Sequence, residues 1–256
     1  AMLEKLSRLG LYQSAHLPAI TRKNKRLPKN YHGGFWAEEA RSARLAATYT
    51  RLPKKGWTPA PWRPFEQGYK SSEIEVEHPA PALDGREILV TAIISTYKSE
   101  RFLRGRIEDL QNQSVADRME IIVIDSGSPE DERSIVEEMR ERYDNIVYLR
   151  TRDRETSHAS ISRACRMARG RYLALSNTDD RHSRHAFERL AAVLDARPDV
   201  ALVYADNYVT VKENETFDDF TRAGHVAGID YHEHIMLQRC LVGPEPMWRR
   251  SLHETY

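Results

Sequence analysis

From residue 86 to residue 206, short apolar runs alternate with segments of helical periodicity, and this alternation limits the folds open to the chain. The runs are rich in Ile, Val and Leu, and they are EILVTAIIS (87–95), MEIIVIDS (119–126), NIVYL (145–149), RYLALS (171–176) and DVALVYAD (199–206). Runs that are apolar at consecutive positions are typical of strands buried on both faces. Between them, apolar residues three and four positions apart indicate amphipathic helices. The pattern predicts an α/β domain over residues 86–256, with a mostly parallel sheet and helices on both faces.

Residues 1–85 differ from this pattern. Proline and glycine recur there, and only 36–49 (WAEEARSARLAATY) is predicted to form a helix. Residues 1–70 carry 14 Lys and Arg against 4 Asp and Glu, whereas the remainder of the chain carries 25 against 34. We interpret 1–85 as a basic, Pro-rich N-terminal extension that packs on the main domain or links it to another. A basic segment also suits peripheral association with an anionic surface, but it carries no recognised nucleic-acid motif, so we expect no nucleic-acid partner.

The whole sequence also gives indications of the compartment. No apolar run approaches the ~18–20 residues that a membrane span needs. The N-terminus, AMLEKLSRLGLYQSAH, lacks the continuous apolar core of a secretory signal. Cys165 and Cys240 lack the spacing of a metal site and favour a reducing compartment. The sequence therefore predicts a cytoplasmic protein without a membrane span.

Polar residues follow each predicted strand, at the end where ligands bind in α/β sheets. They are Ser95, Thr96, Tyr97 and Glu100 after the first run, Asp125 and Ser126 after the second, Arg150, Arg152, Asp153 and Arg154 after the third, Asn177, Thr178, Asp179 and Asp180 after the fourth, and Asp206 and Asn207 after the fifth. No G-x-G-x-x-G follows the first strand, and no G-x-x-x-x-G-K-[ST] occurs in the chain. These absences argue against a dinucleotide-dependent dehydrogenase and a phosphate-loop NTPase.

Two adjacent carboxylates, Asp179 and Asp180, end the fourth predicted strand, where they would repel each other. A bound Mg²⁺ or Mn²⁺ would relieve this repulsion, and both ions prefer oxygen ligands and bridge phosphates. A simpler interpretation makes the pair the N-cap and first turn of the next helix. Asp125 before Ser-Gly-Ser can likewise be a turn residue, and Tyr97 a packed aromatic residue.

Several ordered motifs resemble those of family-2 glycosyltransferases of the Rossmann-like GT-A fold. They are TAIISTYKSERFL (91–103), LQNQS (110–114), MEIIVIDSGSPED (119–131), ARGRYLALSNTDD (168–180) and LVYADN (202–207), within a resemblance that spans about 87–256. The resemblance implies an inverting transfer of a sugar from a nucleoside diphosphate donor, usually UDP, to a glycan or other hydroxyl acceptor. It also implies Mg²⁺ or Mn²⁺ as the cofactor and polysaccharide biosynthesis as the process.

The resemblance further implies roles for individual residues. Thr96 and Tyr97, with Glu100 close by, would border the base and ribose, and Asp125 would accept a hydrogen bond from the uracil ring NH. Asp179 would approach the ribose or phosphate, and Asp180 would ligate the metal. The expected nucleotide-binding set is Ser95, Thr96, Tyr97, Glu100, Asp125, Ser126, Arg154, Asn177, Thr178 and Asp179, and the expected metal ligands are Asp180 and Asp179.

The chain departs from the family pattern at several positions. Ser126 and Asn177 stand where the family often has aspartates, and Ile161-Ser162 replaces an Arg-Asn pair. The segment CLVGPEPMWRRSLHETY (240–256) resembles the one that precedes the family's general base. The resemblance thus implies a base beyond Tyr256 and a chain that is one piece of a longer polypeptide.

Other functions remain open at this point. The departures favour a nucleotide-sugar-binding but catalytically silent domain of a larger protein as the alternative. A sugar-1-phosphate nucleotidyltransferase would need a Gly-rich loop after the first strand, which STYKSERF lacks. A zinc site formed by His225, His232 and His234 is a further interpretation, although their spacing is not that of a recognised zinc motif.

Overall fold

The computed structural model describes residues 72–80, 83, 85–226 and 240–255. The chain divides into two compact units, Ala1–Pro64 with Gly228–Val242 and Phe65–Ala227 with Gly243–Tyr256. Only residues 240–242 of the first unit are described, and every element below belongs to the second. The predicted helix at 36–49 and the histidines at 232 and 234 lie outside the described residues.

The second unit contains two sheets and five α-helices in its described part. The strands are β1 (Ile74–His78), β2 (Val90–Thr96), β3 (Met119–Asp125), β4 (Ile146–Thr151), β5 (Tyr172–Leu175), β6 (Leu202–Val203), β7 (Asn207–Val209), β8 (Gly224–Val226) and β9 (Met247–Arg249). The helices are α1 (Glu100–Gln111), α2 (Glu132–Arg142), α3 (Ser157–Met167), α4 (Ala186–Ala196) and α5 (Leu252–Thr255), with a 3-10 turn at Ala116–Arg118. Among the described helices, none combines the length and the apolar character that crossing a bilayer requires.

The large sheet has the strand order β1-β4-β3-β2-β5-β9-β6. Its four central strands, β4, β3, β2 and β5, run parallel. β1 pairs antiparallel with β4, and β9 pairs antiparallel with both β5 and β6. β7 and β8 form a separate antiparallel pair. The predicted α/β fold with a parallel central sheet is confirmed.

Alternate side chains of the central strands pack into two apolar clusters. Ala92 and Ile94 of β2 join the larger cluster with α1, α2 and α4, whereas Ile93 joins the smaller cluster with α3. Consecutive apolar residues are therefore needed because helices cover both faces of the sheet. Cys165 of α3 lies in the smaller cluster, where burial raises the pKa of its thiol to about 11.

The edges of the sheet differ from the sequence prediction. β1 lies within the segment interpreted as the extension, and it has no apolar run because most of its side chains are exposed. Only Leu202–Val203 of the fifth predicted strand joins the sheet, and its partner is the antiparallel β9. Short edge strands that pair with distant segments leave a weak pattern in the sequence, which explains both differences.

We expect Gly170→Ala to lower the free energy of unfolding by about 1–3 kcal/mol, the usual cost of overpacking. Gly170 is buried before β5, and a Cβ there would lie 2.4 Å from the backbone nitrogen of Thr91. Gly224→Ala is the matched control, because its Cβ would meet Val209 at an ordinary 3.6 Å. Urea denaturation of both variants tests this, and equal loss in the two would contradict the steric account.

Candidate functional site

The carboxyl ends of the central parallel strands bring most of the predicted site residues to one edge of the sheet. Thr96 at the end of β2 is in register with Asp125 at the end of β3, and Asp125 is in register with Arg150 of β4. On the other side, β5 ends at Leu175, and the backbone N–H of Ser176 donates to Ile93 of β2. These groups therefore lie at the carboxyl ends of the strands, where the sequence predicted them to be.

A cavity of about 580 Å³ opens at this edge. Its lining residues are Ser95, Tyr97, Ser99, Ser126, Arg154, Glu155, Thr156 and Ser157. The Arg154 guanidinium stacks over the Tyr97 ring at 4.1 Å from the ring centroid. Tyr97 is half-buried and forms part of the cavity wall, so it is not a core aromatic residue. The volume and the mixture of hydroxyl, aromatic and cationic groups suit a small polar ligand.

Hydrogen bonds between neighbouring loops fix the wall of this cavity. The backbone N–H of Lys98 donates to Ser128 Oγ at 3.0 Å, and that of Ser99 donates to Glu132 Oε1 at 2.9 Å. Lys98 has a positive φ of 55°, which is uncommon for a residue with a side chain. The loop after β2 is therefore held in a defined conformation by the loop after β3.

Four of the predicted residues line the cavity, and the other seven do not: Thr96, Glu100, Asp125 and the four residues 177–180. Thr96 is buried, and its Oγ1 has no hydrogen-bond partner within the part of the chain that the structure describes. Glu100 is exposed at the start of α1, and its carboxylate accepts a hydrogen bond from the backbone N–H of Asp131 at 3.2 Å. Glu100 thus joins the N-terminus of α1 to that of α2.

Asp125 is completely buried and accepts three hydrogen bonds. Oδ1 accepts from the backbone N–H of Ser128 at 2.8 Å, while Oδ2 accepts from Tyr148 Oη at 2.8 Å and from Arg150 Nη1 at 2.5 Å. Burial, and then the Asp125 charge, raises the pKa of Tyr148, which keeps this phenol a neutral donor. Asp125 is therefore both a turn residue and the acidic partner of a buried ion pair. Its pairing with Arg150 was not predicted from the sequence.

The segment Asn177–Asp180, here called the acidic turn, follows β5. Thr178 is buried, Asp179 is exposed and Asp180 is half-buried, and Asn177 Nδ2 donates to Asp180 Oδ2 at 3.1 Å. The next helix, α4, begins only at Ala186 and has His185 as its N-cap residue. The interpretation of Asp179 and Asp180 as a helix cap is therefore wrong.

Asp180 lacks full compensation for its negative charge. Burial, and then the charge of Glu245, raises the pKa of Asp180. Among the described residues, no group of three or more His, Cys, Asp or Glu side chains is spaced to hold a metal alone. However, Mg²⁺ is usually held by one or two carboxylates together with substrate phosphates. Asp180, with the exposed Asp179 beside it, fits a cation that is shared with a diphosphate.

A buried ionic network, here called the Arg106 network, lies against the acidic turn. Arg106 of α1 is fully buried, and its Nη2 donates to Glu245 Oε2 at 2.7 Å while its Nη1 lies 3.1 Å from Asp109 Oδ2. His182 Nε2 lies 2.9 Å from the same oxygen of Glu245. Burial raises the pKa of Glu245, but the Arg106 charge and the bond with His182 outweigh it, so that this pKa lies below its usual value.

The Arg106 network was not predicted from the sequence, although the sequence contains one signal of a buried charge. Arg106 occupies the same helical stripe as Leu103, Ile107 and Leu110, all of which are buried. A charged residue within an apolar stripe indicates a buried partner. The partner Glu245 is 139 positions away, too far for periodicity to identify it.

Asp206 and Asn207, which follow the fifth predicted strand, do not lie at the carboxyl ends of the central parallel strands. Asn207 is the first residue of β7, in the two-stranded sheet. Asp206 Oδ2 lies 3.3 Å from His225 Nε2, so His225 has a carboxylate neighbour in the described structure. The zinc interpretation gains no support from the described residues. They contain no cluster of three or more His, Cys, Asp or Glu side chains that could hold a metal ion, with or without His225.

Comparison with known sequences gives a consistent result. The model of the glycosyl transferase family 2 matches residues 91–238. An uncharacterised glycosyltransferase of Methanocaldococcus jannaschii is 25% identical over 133 residues, which cover 52% of this chain and 46% of the relative. The minor teichoic acid biosynthesis protein GgaA of Bacillus subtilis is 30% identical over 106 residues, 39% of this chain and 23% of that protein. The chain thus spans less than half the length of these relatives.

Solved structures share the fold. The crystal structure of S. aureus TarS 1–349 in complex with UDP has a TM-score of 0.52 at 17% identity, covering 66% of this chain and 48% of that one. The same fragment in complex with UDP-GlcNAc has a TM-score of 0.52 at 16% identity, covering 66% and 47%. At this identity, the similarity concerns the fold alone.

Proposed function

Since the chain belongs to glycosyl transferase family 2 and has the GT-A fold, we propose that it transfers a sugar from a nucleoside diphosphate donor, UDP in the first place, to a hydroxyl group of a glycan acceptor. One observation carries the proposal. The carboxyl edge of the parallel strands combines a polar, aromatic cavity with a turn that bears two adjacent carboxylates, the exposed Asp179 and the half-buried Asp180. The complexes of TarS with UDP and UDP-GlcNAc support this class of donor.

In this proposal, the cavity binds the nucleoside. The Tyr97 ring, stacked by Arg154, offers a flat surface, and the Ser95 hydroxyl offers a hydrogen bond to base or ribose. Ser126 instead supports the cavity wall, because its hydroxyl donates to the Glu155 carbonyl oxygen and accepts from the Glu155 N–H. Asp125 is fully buried and does not line the cavity, so the expected hydrogen bond from a uracil ring NH would require one of its present donors to move away. Thr156 caps the N-terminus of α3 at the cavity, and the partial positive charge of that terminus favours phosphate oxygens nearby.

Asp180 and Asp179 are the proposed ligands of Mg²⁺ or Mn²⁺. When bound there, such an ion supplies charge neutralisation for the departing diphosphate. Asn177 orients Asp180 through the hydrogen bond from its side-chain amide. The Arg154 guanidinium is a second positive group available to the diphosphate.

The proposed transfer is an inverting displacement. The acceptor oxygen forms a bond to the sugar's C1 on the face opposite the diphosphate, and the C1–O bond to the diphosphate breaks with its electron pair. The proton of the acceptor hydroxyl passes to a carboxylate base. No described residue is assigned as this base.

A nucleotide-sugar-binding but catalytically silent domain is the second candidate. Asn177 favours it, because an amide stands at a position where the family often has an aspartate, and this amide is occupied by Asp180. The two candidates share the donor site and differ only in turnover.

Calorimetric titration with UDP and GDP, each with and without Mn²⁺, tests the proposal. We expect UDP to bind roughly 100-fold or more tightly with Mn²⁺ than without it, equivalent to at least about 2.8 kcal/mol, and GDP to bind more weakly than UDP. Failure of both nucleotides to bind would contradict the donor site. Metal-dependent binding of UDP without release of UDP from UDP-sugars would favour the silent domain.

A further inference from the structure

The acidic turn is held at both of its ends by one buried ion pair. At its start, the backbone N–H of Asn177 donates to Glu245 Oε1 at 2.5 Å. At its end, the carbonyl oxygen of Asp180 accepts from Arg106 Nη1 at 3.0 Å and also from Arg181 Nη1 at 2.8 Å. Arg106 and Glu245 are themselves joined at 2.7 Å, so a single pair spans the whole four-residue segment.

Burying the Arg106–Glu245 ion pair costs desolvation free energy, and the pair has a defined geometry. Arg106 is fully buried, the Glu245 side chain is only 8% exposed, and Arg106 Nε has no partner within the described structure. A buried ion pair is weak support for stability, because desolvation offsets most of its attraction. Its most direct structural effect here is the placement of two backbone groups that flank Asp180.

We propose that Arg106 and Glu245 are positioning residues that hold the acidic turn so that the Asp180 carboxylate is presented to the diphosphate-bound cation. The inference rests on the proposed function for its ligand, and on the two backbone hydrogen bonds for its geometry. His182, 2.9 Å from Glu245 Oε2, restrains the carboxylate from a second side. Neither Arg106 nor Glu245 is assigned a contact with the donor.

Glu245→Gln separates the two ends of this arrangement. A carboxylate accepts on both oxygens, from Asn177 on one and from Arg106 and His182 on the other. A glutamine has one acceptor oxygen, and its NH₂ group would face a donor in either orientation. Glu245→Gln must therefore lose either the hydrogen bond from Asn177 or the one from Arg106, although the side chain keeps its size.

Arg106→Lys is the second variant, and it keeps the positive charge beside Glu245. A lysine ammonium lacks the planar fork that lets Arg106 reach Glu245 and the Asp180 carbonyl together. This variant removes one of the two donors to the Asp180 carbonyl oxygen, since Arg181 Nη1 also donates to it, and it keeps a positive neighbour for Glu245. It therefore remains informative if Glu245→Gln fails to fold.

The matched control is Glu120→Gln at the start of β3. Glu120 is also a buried carboxylate, and it accepts from Thr91 Oγ1 at 2.7 Å and from the Arg169 backbone and side chain at 3.0 and 2.8 Å. Its strand position is at the opposite end of the sheet from the acidic turn. This substitution therefore removes a comparable charge without touching the proposed site.

Two measurements on the full chain test the inference. In hydrogen exchange, we expect the peptide that contains Asn177 to exchange about tenfold or more faster in Glu245→Gln, because its amide loses a charged acceptor. In calorimetry, we expect UDP binding with Mn²⁺ to weaken roughly 10- to 100-fold in Glu245→Gln and Arg106→Lys, the usual cost of losing a partner behind a metal ligand. UDP binding without metal should stay within about twofold, and Glu120→Gln should match the wild type in both measurements.

The outcomes separate this inference from the proposed function. Unchanged exchange at Asn177, or equal weakening of UDP binding with and without Mn²⁺, would overturn the positioning role. If Asn177 exchanges faster in Glu245→Gln but the wild type shows no metal-dependent nucleotide binding, the proposed function is overturned. The hydrogen bond from Asn177 to Glu245 would still be shown to hold the acidic turn.

Discussion

Replacement of Asp180 by alanine is expected to abolish the Mn²⁺-dependent part of UDP binding, a loss of roughly 100-fold or more. Loss of a partner behind a metal ligand alone costs 10- to 100-fold in metal affinity, and Asp180 is the proposed ligand itself. The half-buried carboxylate, whose pKa is raised first by burial and then by Glu245, has the unbalanced charge that a cation would neutralise. Titration of UDP into wild type and variant, with and without Mn²⁺, measures the effect.

Asp199→Ala provides the control for Asp180→Ala. Asp199 is an exposed aspartate that pairs with the exposed Arg197 at 2.7 Å, a pair of the kind that contributes little to stability. We expect this variant to bind UDP as the wild type does. Retention of full metal-dependent affinity in Asp180→Ala would exclude Asp180 as a ligand and leave Asp179 as the candidate.

Replacement of Asp125 by alanine is expected to lower the free energy of unfolding by about 3–5 kcal/mol, the usual cost of removing one partner of a buried ion pair. The substitution leaves Arg150 Nη1 and the hydroxyl of Tyr148 without their shared acceptor. It also removes the acceptor of the Ser128 N–H, which shapes the turn after β3. Urea denaturation of wild type and variant gives the difference directly.

Glu73→Ala is the comparison for Asp125→Ala. Glu73 pairs with Arg152 next to β4, but both side chains are more than 60% exposed. Solvent screens such a pair, so we expect a change within about 1 kcal/mol. A similar small loss in Asp125→Ala would show that the Asp125 carboxylate does not act as a buried ionic centre.

The central part of the fold was predictable because its pattern is local. Each of β2 to β5 is a continuous apolar run, and the carboxyl ends of parallel strands necessarily meet at one edge. The position of Asp125 beside Thr96, and of the acidic turn after β5, followed from these two facts. Sequence alone therefore located the edge that bears the candidate site.

The remainder depended on contacts between distant segments. β9 lies between β5 and β6 although more than 40 residues separate it from either strand in the chain. Arg106 and Glu245 meet only because this connection brings the two together, and periodicity carries no record of such a pairing. The environments of Glu100 and Thr96 likewise depend on side-chain direction, which the order of residues does not specify. Glu100 accepts a hydrogen bond from the Asp131 N–H, whereas Thr96 Oγ1 is buried without a partner among the described residues.

The place of β9 has a consequence for the order in which a growing chain can assemble. β6 joins the large sheet through β9, so a nascent polypeptide that has emerged only as far as Val226 has its parallel strands but no lateral partner for Leu202–Val203. At that stage the outer side of β5 is an unpaired edge, a surface open to association with other chains. Glu245 arrives in the same late segment as β9. Translation of residues 243–249 therefore closes the exposed edge and anchors the acidic turn in a single event.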